Sequence, residues 1–265
     1  MTAQGRSPTS RPVLINIEST SVNDSPCCGI KNPAHPGLLA KRCWLKAHLN
    51  LGLRAKNLVD LDGKTCGYIE YLPGEYSWRA VDARRYMFIH CVWNHSRQHR
   101  RMGWAGVMID ACVEDAKAAG MQGVAVMTRD GPWMASRTIF TAHGFTLADK
   151  APPDCQLLVR KFKAGAPDPV FKGNFEQKAA RFNRGLTIIH SAQCPYIAKF
   201  TAEIVETAEE EYHLKPKVLE LESWRDAQEA PTPYAVFALI YKGRVLADRQ
   251  ISRTRFRNIM NKLLR

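Results

Sequence analysis

The stretch Arg100-Arg101-Met102-Gly103-Trp104-Ala105 most constrains how this chain can fold. Before it, residues 86–93 form an apolar, branched and aromatic run that reads as a buried strand. After it, an amphipathic pattern from about 104 reads as a helix. A strand, a loop bearing Arg and Gly, and a helix start make a place for a phosphate. The first N–H groups of a helix have no partner within it, and the helix dipole adds partial positive charge there. Gly103 lets a ligand approach the backbone with no Cβ in the way. A basic loop that merely opens a helix has the same spacing, so the loop alone leaves both readings open.

The residues around the loop narrow the choice. Read as Arg/Gln-x-x-Gly-x-Gly/Ala, it resembles the acyl-CoA pyrophosphate loop of GNAT-family N-acetyltransferases. A helix at 104–119, a strand at about 122–127, a helix at about 132–142 and then Gly144-Phe145 come in that family's order. The resemblance covers residues 13–160 and implies an α/β fold, a mixed sheet with flanking helices. Upstream, 13–17 is a first strand, and 37–53 is a helix with Leu38, Leu39, Trp44, Leu45, His48 and Leu49 near one face. Residues 57–60 and 65–71 are strands joined through Asp62-Gly63. The last strand of this part is 156–159.

Residues 162–185 change character. The run 164–169 is rich in turn formers, and 175–182 suits a short helix. This linker carries Val170, Phe171, Phe175 and Phe182, which suit packing on both sides. From 186 a second pattern begins: strand 186–190, helix 195–212, strand 217–221, short helix 223–229, hairpin strands 234–241 and 244–248, helix 252–264. That order resembles the thioredoxin fold. Cys194-Pro195-Tyr196-Ile197 stands at its active-site turn, and Thr232-Pro233 where that fold carries a cis-proline. Ile197 occupies the place of the second cysteine, so the motif cannot close a disulfide within itself. The runs Pro26-Cys27-Cys28-Gly29-Ile30-Lys31 and Trp78-Arg79-Ala80-Val81-Asp82-Ala83, with Ile89-His90-Cys91, resemble the bacterial YoaP-like GNAT proteins. The expected organisation is a disordered arm at 1–12, a GNAT acetyltransferase domain at 13–161, a linker at 162–185 and a small thioredoxin-like α/β domain at 186–265.

The formal charge of +13 is spread along the chain. Residues 1–160 hold 20 basic and 13 acidic side chains, and 161–265 hold 18 and 12. That suits an anionic cofactor. The basic end, Arg249, Arg253, Arg255, Arg257, Lys262 and Arg265, reads as an exposed helix face, and no nucleic-acid-binding motif accompanies it. No apolar run reaches membrane-span length and residues 1–12 do not read as a secretory signal. A cytoplasmic protein is therefore expected, its eight cysteines free. Cys27, Cys28, His35 and Cys43 suit one tetrahedral ion poorly, so no metal is expected.

The family resemblance implies acetyl-CoA as acyl donor and an amine of a small molecule or peptide as acceptor, with direct attack in a ternary complex. It places the pyrophosphate on the backbone of Met102, Gly103, Trp104 and Ala105, screened by Arg100 and Arg101, and the pantetheine arm beside Val92 and Trp93. His90 is a candidate general base, since an unperturbed imidazole titrates near neutrality; a strand histidine with satisfied hydrogen bonds is the structural alternative. Glu70 is a second candidate acting through water, with a solvated strand face as its alternative. Glu75 and Asp82 are placed to select a cationic acceptor. Phe140 stands where the family often has the tyrosine that protonates the thiolate, and Trp133 where it often has an asparagine. Cys91, Ser136 or water remain as proton donors, or the thiolate leaves unaided. Cys194 is read as a wall of the acceptor site. The competing expectation is an acyl-CoA-binding regulator without turnover.

Overall fold

The computed structural model describes residues 12–30, 32–94 and 103–264. In chain order its first part is β1 (Val13–Asn16), α1 (Pro36–Leu49), β2 (Arg54–Val59), β3 (Thr65–Pro73), a 3-10 turn (Gly74–Tyr76), β4 (Val81–Asp82) and β5 (Tyr86–Asn94). Then come α2 (Trp104–Ala118), β6 (Gly123–Thr128), α3 (Arg137–Thr141), β7 (Thr146–Ala151) and β8 (Cys155–Lys161). The remainder is β9 (Val170–Phe171), α4 (Phe175–Ala180), β10 (Leu186–His190), α5 (Ile197–Tyr212), β11 (Lys217–Glu220), α6 (Trp224–Gln228), β12 (Phe237–Tyr241), β13 (Arg244–Ala247) and α7 (Arg253–Leu263). Residues 1–11 of the expected arm and Arg100, Arg101 and Met102 of the loop lie outside the described residues.

A seven-stranded mixed sheet runs β1-β2-β3-β5-β6-β8-β7, and among the described residues β5–β6 is its one parallel pair. A parallel pair needs a crossover, and α2 provides it. A four-stranded sheet runs β11-β10-β12-β13, with β10 parallel to β11 and antiparallel to β12. The short strands β4 and β9 pair with each other and fasten the stretch after β8 to the first part. Among the described residues no helix is long and apolar enough to cross a membrane.

The side-chain alternation of the strands sorts the large sheet into two faces. Tyr71, Met87, Ile89, Val124 and Val126 meet Met108, Ile109 and Cys112 of α2 on one face. Tyr68, Leu72, Phe88, Ala125 and Met127 face the other way, into a core that also holds Leu45 of α1, Ile188, Phe237 and Phe256. That core runs without interruption from the large sheet into the small one.

Several expected elements differ in extent. The helix foreseen at 37–53 ends at Leu49, and Gly52, with φ +84°, turns the chain into β2. Its buried face is Leu38, Lys41, Trp44, Leu45 and His48, whereas Leu39 is 73% exposed. The helix foreseen at 132–142 shrinks to α3, capped by Ser136, because Gly131 and Trp133 both take positive φ around Pro132. β7 was not expected and adds an edge to the sheet. Thr232-Pro233 is not a cis bond; among the described residues the cis bond is Pro152-Pro153.

Candidate active site

The ladder between β5 and β6 pairs Tyr86 with Gly123 through Ile89 with Val126, and then ends. β6 continues as Met127 and Thr128, paired to β8, and β5 continues through 91–94, paired to β3. A β-bulge marks the parting. Tyr71 pairs with Ile89 and Glu70 with Cys91, so His90 is the extra residue. A bulge bends its strand and re-aims the side chains beyond it. Here it shifts the alternation by one, so that Cys91 and Trp93 join Phe88 on the face toward the small sheet, while Val92 turns to the α2 side.

A cavity of about 500 Å³ occupies the gap. Residues 89–94 of β5 form one wall, and Val126, Met127 and Phe140 an apolar opposite wall. Cys28, Arg79, Cys194 and Tyr196 close the end toward the small sheet. Tyr196 hydroxyl donates to the Cys28 carbonyl at 2.9 Å, joining the two parts of the chain across the cavity. Trp133, its ring 5.7 Å from that of Tyr196, separates this cavity from a larger cleft of about 1080 Å³ between β13, α7 and Pro152-Pro153. That cleft contains neither the β5–β6 opening nor a thiol, and its Arg129 is already paired to Asp154 and Asp248.

Behind the cavity lies a buried polar cluster. Lys41 Nζ donates to Glu70 Oε2 at 2.5 Å and to the Gln193 carbonyl at 2.6 Å. Tyr68 hydroxyl donates to the same Oε2 at 2.5 Å, and Gln193 Nε2 to Oε1 at 2.9 Å. The Gln193 amide oxygen accepts from Arg79 Nη1 at 3.1 Å. Arg79 Nη1 also donates to the Trp78 carbonyl at 2.8 Å, and Nη2 to the His90 carbonyl at 3.3 Å. The guanidinium lies 4.7 Å from the centre of the Tyr234 ring. Burial by itself lowers the Lys41 pKa, but the adjacent Glu70 carboxylate outweighs it and the net shift is upward.

His90 is held differently from the sequence expectation. Its Nε2 accepts the Trp78 backbone N–H at 2.9 Å. A backbone amide only donates, so the ring proton sits on Nδ1. Burial, then the positive Arg79 and Lys41, push its pKa well below the ordinary histidine value. His90 is thus a neutral ring whose Nε2 lone pair is engaged by a backbone amide, an arrangement that disfavours the expected role as general base. Glu70 is fully buried, not a solvated face, and its bonds on both oxygens disfavour a base acting through water.

Two of the thiols at the cavity, Cys28 and Cys194, do not resemble activated nucleophiles. The Cys91 contact, then burial, holds the Cys28 thiol well above its ordinary value. Burial pushes Cys194 up to about 11, despite its place just ahead of α5. Gln250 Nε2 lies 3.7 Å from the Cys194 sulfur. Glu75 and Asp82 are not brought to the cavity. Glu75 accepts the Arg85 N–H at 2.7 Å, and Asp82 takes Arg84 through both oxygens at 2.9 and 2.8 Å. Ser136 caps α3, away from the cavity wall, whereas Cys91 is on it. Among the described residues no group of three or more His, Cys, Asp or Glu is arranged to hold a metal.

Gly103 begins α2 with φ +76°, and a Cβ built there would meet nothing within 4 Å. The first turn of the helix, opening on Trp104 and Ala105, contains no acidic side chain. Sequence reasoning missed Arg79, Lys41 and Gln193, whereas Tyr196 was expected beside Cys194 at the acceptor site and both line the cavity. The one available signal was Arg79 within a run of otherwise apolar residues, Trp78 to Val81.

A family model described as YoaP-like matches residues 217–258. Among solved structures, a GNAT family N-acetyltransferase (YhbS) from Escherichia coli in complex with CoA aligns with 63% of this chain and 93% of its own, at 12% identity and a TM-score of 0.43. An acetyltransferase of the GNAT family from Staphylococcus aureus aligns with 57% of this chain and all of its own (100%), at 11% identity and a TM-score of 0.39. Over 251 residues, 94% of this chain and 96% of the relative, the sequence is 29% identical to a Bacillus subtilis protein described as an uncharacterized N-acetyltransferase, YoaP.

Proposed function

We propose that this chain is an acetyl-CoA-dependent acyltransferase that moves an acetyl group to an amine of a small molecule or peptide. The observation that carries the reading is the parting of β5 from β6 around a cavity of about 500 Å³. The name of the relative matched over 94% of the chain supports it. So does the start of α2, whose residues fit the donor's phosphates. The first N–H groups there lack helical acceptors, Gly103 leaves open space where a side chain would stand, and no acidic group opposes an anion. Gly103, Trp104 and Ala105 would hold the pyrophosphate, with Met102, Arg100 and Arg101 of the same loop.

When bound, acetyl-CoA supplies an activated carbonyl and a thiolate leaving group. Beyond Ile89 the β5 edge borders the cavity instead of β6, so its backbone near Val92 and Trp93 can pair with an amide-bearing arm and orient it. Val126, Met127 and Phe140 exclude water, which strengthens any polar contact made in the cavity. The raised pKa values of Cys28 and Cys194 disfavour an acyl-enzyme on those two thiols, and direct attack by the amine is tested against Cys91 by intact-mass spectra after mixing with acetyl-CoA alone, which should show no adduct. Residues 13–161 form the acetyltransferase domain, 162–185 the linker and 186–265 a thioredoxin-like domain; the β10 to β13 pairing order is the support for the last. The eight free cysteines suit a reducing cytoplasm.

The test is thiol release from acetyl-CoA against a panel of amines, with mass spectrometry of the products. Gly103→Val should lower acetyl-CoA affinity by about tenfold or more, since a β-branched residue is disfavoured at positive φ and blocks close approach. Calorimetry on a folded Gly103→Val protein with unchanged affinity overturns the binding site. One observation favours a second reading, a regulator that binds acyl-CoA without turnover: neither His90 nor Phe140 supplies a proton-transfer group. Binding with no thiol release against any amine is its signature.

A further inference from the structure

We infer that the acceptor carries a carboxylate beside its amine, and that Arg79 receives that carboxylate. The inference rests on the transferase reading and names the substrate class of the same cavity. Arg79 is 3% exposed and lines the cavity at the end formed with Cys28, Cys194 and Tyr196. Among the described residues all partners of its guanidinium are neutral: the Trp78 and His90 carbonyls, the Gln193 amide oxygen and the Tyr234 ring. The nearby carboxylate, Glu70, is taken by Lys41, Tyr68 and Gln193. Two buried cations therefore share one buried anion, and the cluster keeps one positive charge in excess.

A guanidinium does not shed its proton at any ordinary pH, so neutralisation is no escape here. Nor can the side chain swing to water, because neutral acceptors fix it on three bonds. A guanidinium has five N–H donors, and the three bonds to protein leave two without a protein partner among the described residues. A buried ion without an opposite charge is costly, and an arriving carboxylate supplies that charge with charge-assisted bonds. The remaining titratable wall consists of thiols, the Tyr196 phenol and the neutral His90, so no anion on the wall competes. The size of the cavity fits as well. About 500 Å³ must admit both the reacting thioester end and the acceptor, which suits a molecule of amino-acid size. The alternative is that Arg79 only ties the two sheets together through Gln193.

The full chain distinguishes these with matched pairs of small amines, each offered as the α-carboxylate and as the carboxamide. Turnover with acetyl-CoA is measured for every pair. Saturation-transfer NMR in the presence of CoA reports binding of the same pairs. Wild type should favour the carboxylate member by about tenfold or more in kcat/KM and in binding. Arg79→Gln, checked by circular dichroism and by acetyl-CoA calorimetry, should lose the preference, while Arg79→Lys should keep part of it. If Arg79→Gln does not fold, the wild-type pairs decide alone. Carboxamides used or bound as well as carboxylates overturn the inference, as does binding of neither. Failure of the transferase reading looks different: no product from any pair, with carboxylate-selective binding intact.

Discussion

A histidine accepts a proton through a lone pair, and His90 has its Nε2 lone pair engaged by the Trp78 N–H. Burial and the nearby cations keep the ring neutral below its ordinary range. His90→Gln should therefore leave the acidic limb of the kcat/KM profile in place, whatever it does to the rate. A limb that disappears with the substitution would restore His90 as a base. The same neutrality affects stability. The unfolded chain takes up a proton at His90 near pH 6.5 and the folded chain does not, so stability is full above about pH 6.5 and falls as the pH drops below it. Glu70 makes a stronger demand. Glu70→Gln leaves Lys41 and Arg79 buried without an anion and should cost about 3–5 kcal/mol, read as a lowered urea midpoint. A cost under about 1 kcal/mol would show the cluster relaxing into water. Little of this was legible in the sequence. A lysine on an amphipathic helix reads as solvated, and Gln193, which bonds Glu70, is 123 residues away.

The bulge in β5 decides which side chains the cavity receives. It carries no signal in composition: residues 86–94 contain neither Gly nor Pro, and they read as one regular strand. The helix start after Gly103 was legible, because the apolar periodicity of residues 104–118 and the glycine before it mark a helix N-terminus. The short α3 was not, since the positive φ at Trp133, whose ring packs beside Tyr196 and Phe200, interrupts the expected helix. Another element-level contact is checkable. Gly37, in the first turn of α1, lies so close to the turn before α5 that an added Cβ would sit 1.8 Å from the Pro195 carbonyl oxygen. Gly37→Val should push α1 off that turn and destabilise the protein by about 1–3 kcal/mol. A denaturant midpoint equal to that of wild type would mean that this approach is not close in solution.

At the scale of the molecule, most of the order of elements was legible on both sides of the linker, and the linker's aromatic residues pointed to packing of the two parts, but the residues that join them were not legible. The sequence shows two patterns, each with a hydrophobic face, and their joining depends on long-range contacts. Leu45, Tyr68 and Phe88 share one core with Ile188, Phe237 and Phe256. Polar bonds cross between the parts at Lys41 to Gln193, Tyr196 to Cys28, Gln228 to the Glu75 carbonyl and Ala80 to the Pro233 carbonyl. Domains that only touch have polar, separable interfaces and unfold independently. Here separation would uncover the part of that core shared by the two sheets together with the buried Lys41–Glu70–Arg79 cluster, so neither part has a stable surface alone. The protein should therefore unfold in one transition, with the calorimetric enthalpy equal to the van't Hoff enthalpy. Tryptophan fluorescence, to which Trp44 and Trp78 in the shared core contribute, and far-ultraviolet circular dichroism, to which the helices of both parts contribute, should share one midpoint. Two resolved transitions, or a helical signal that outlasts the fluorescence change, would show that the small sheet stands independently and that the shared core contributes little to holding the acceptor end of the cavity in place.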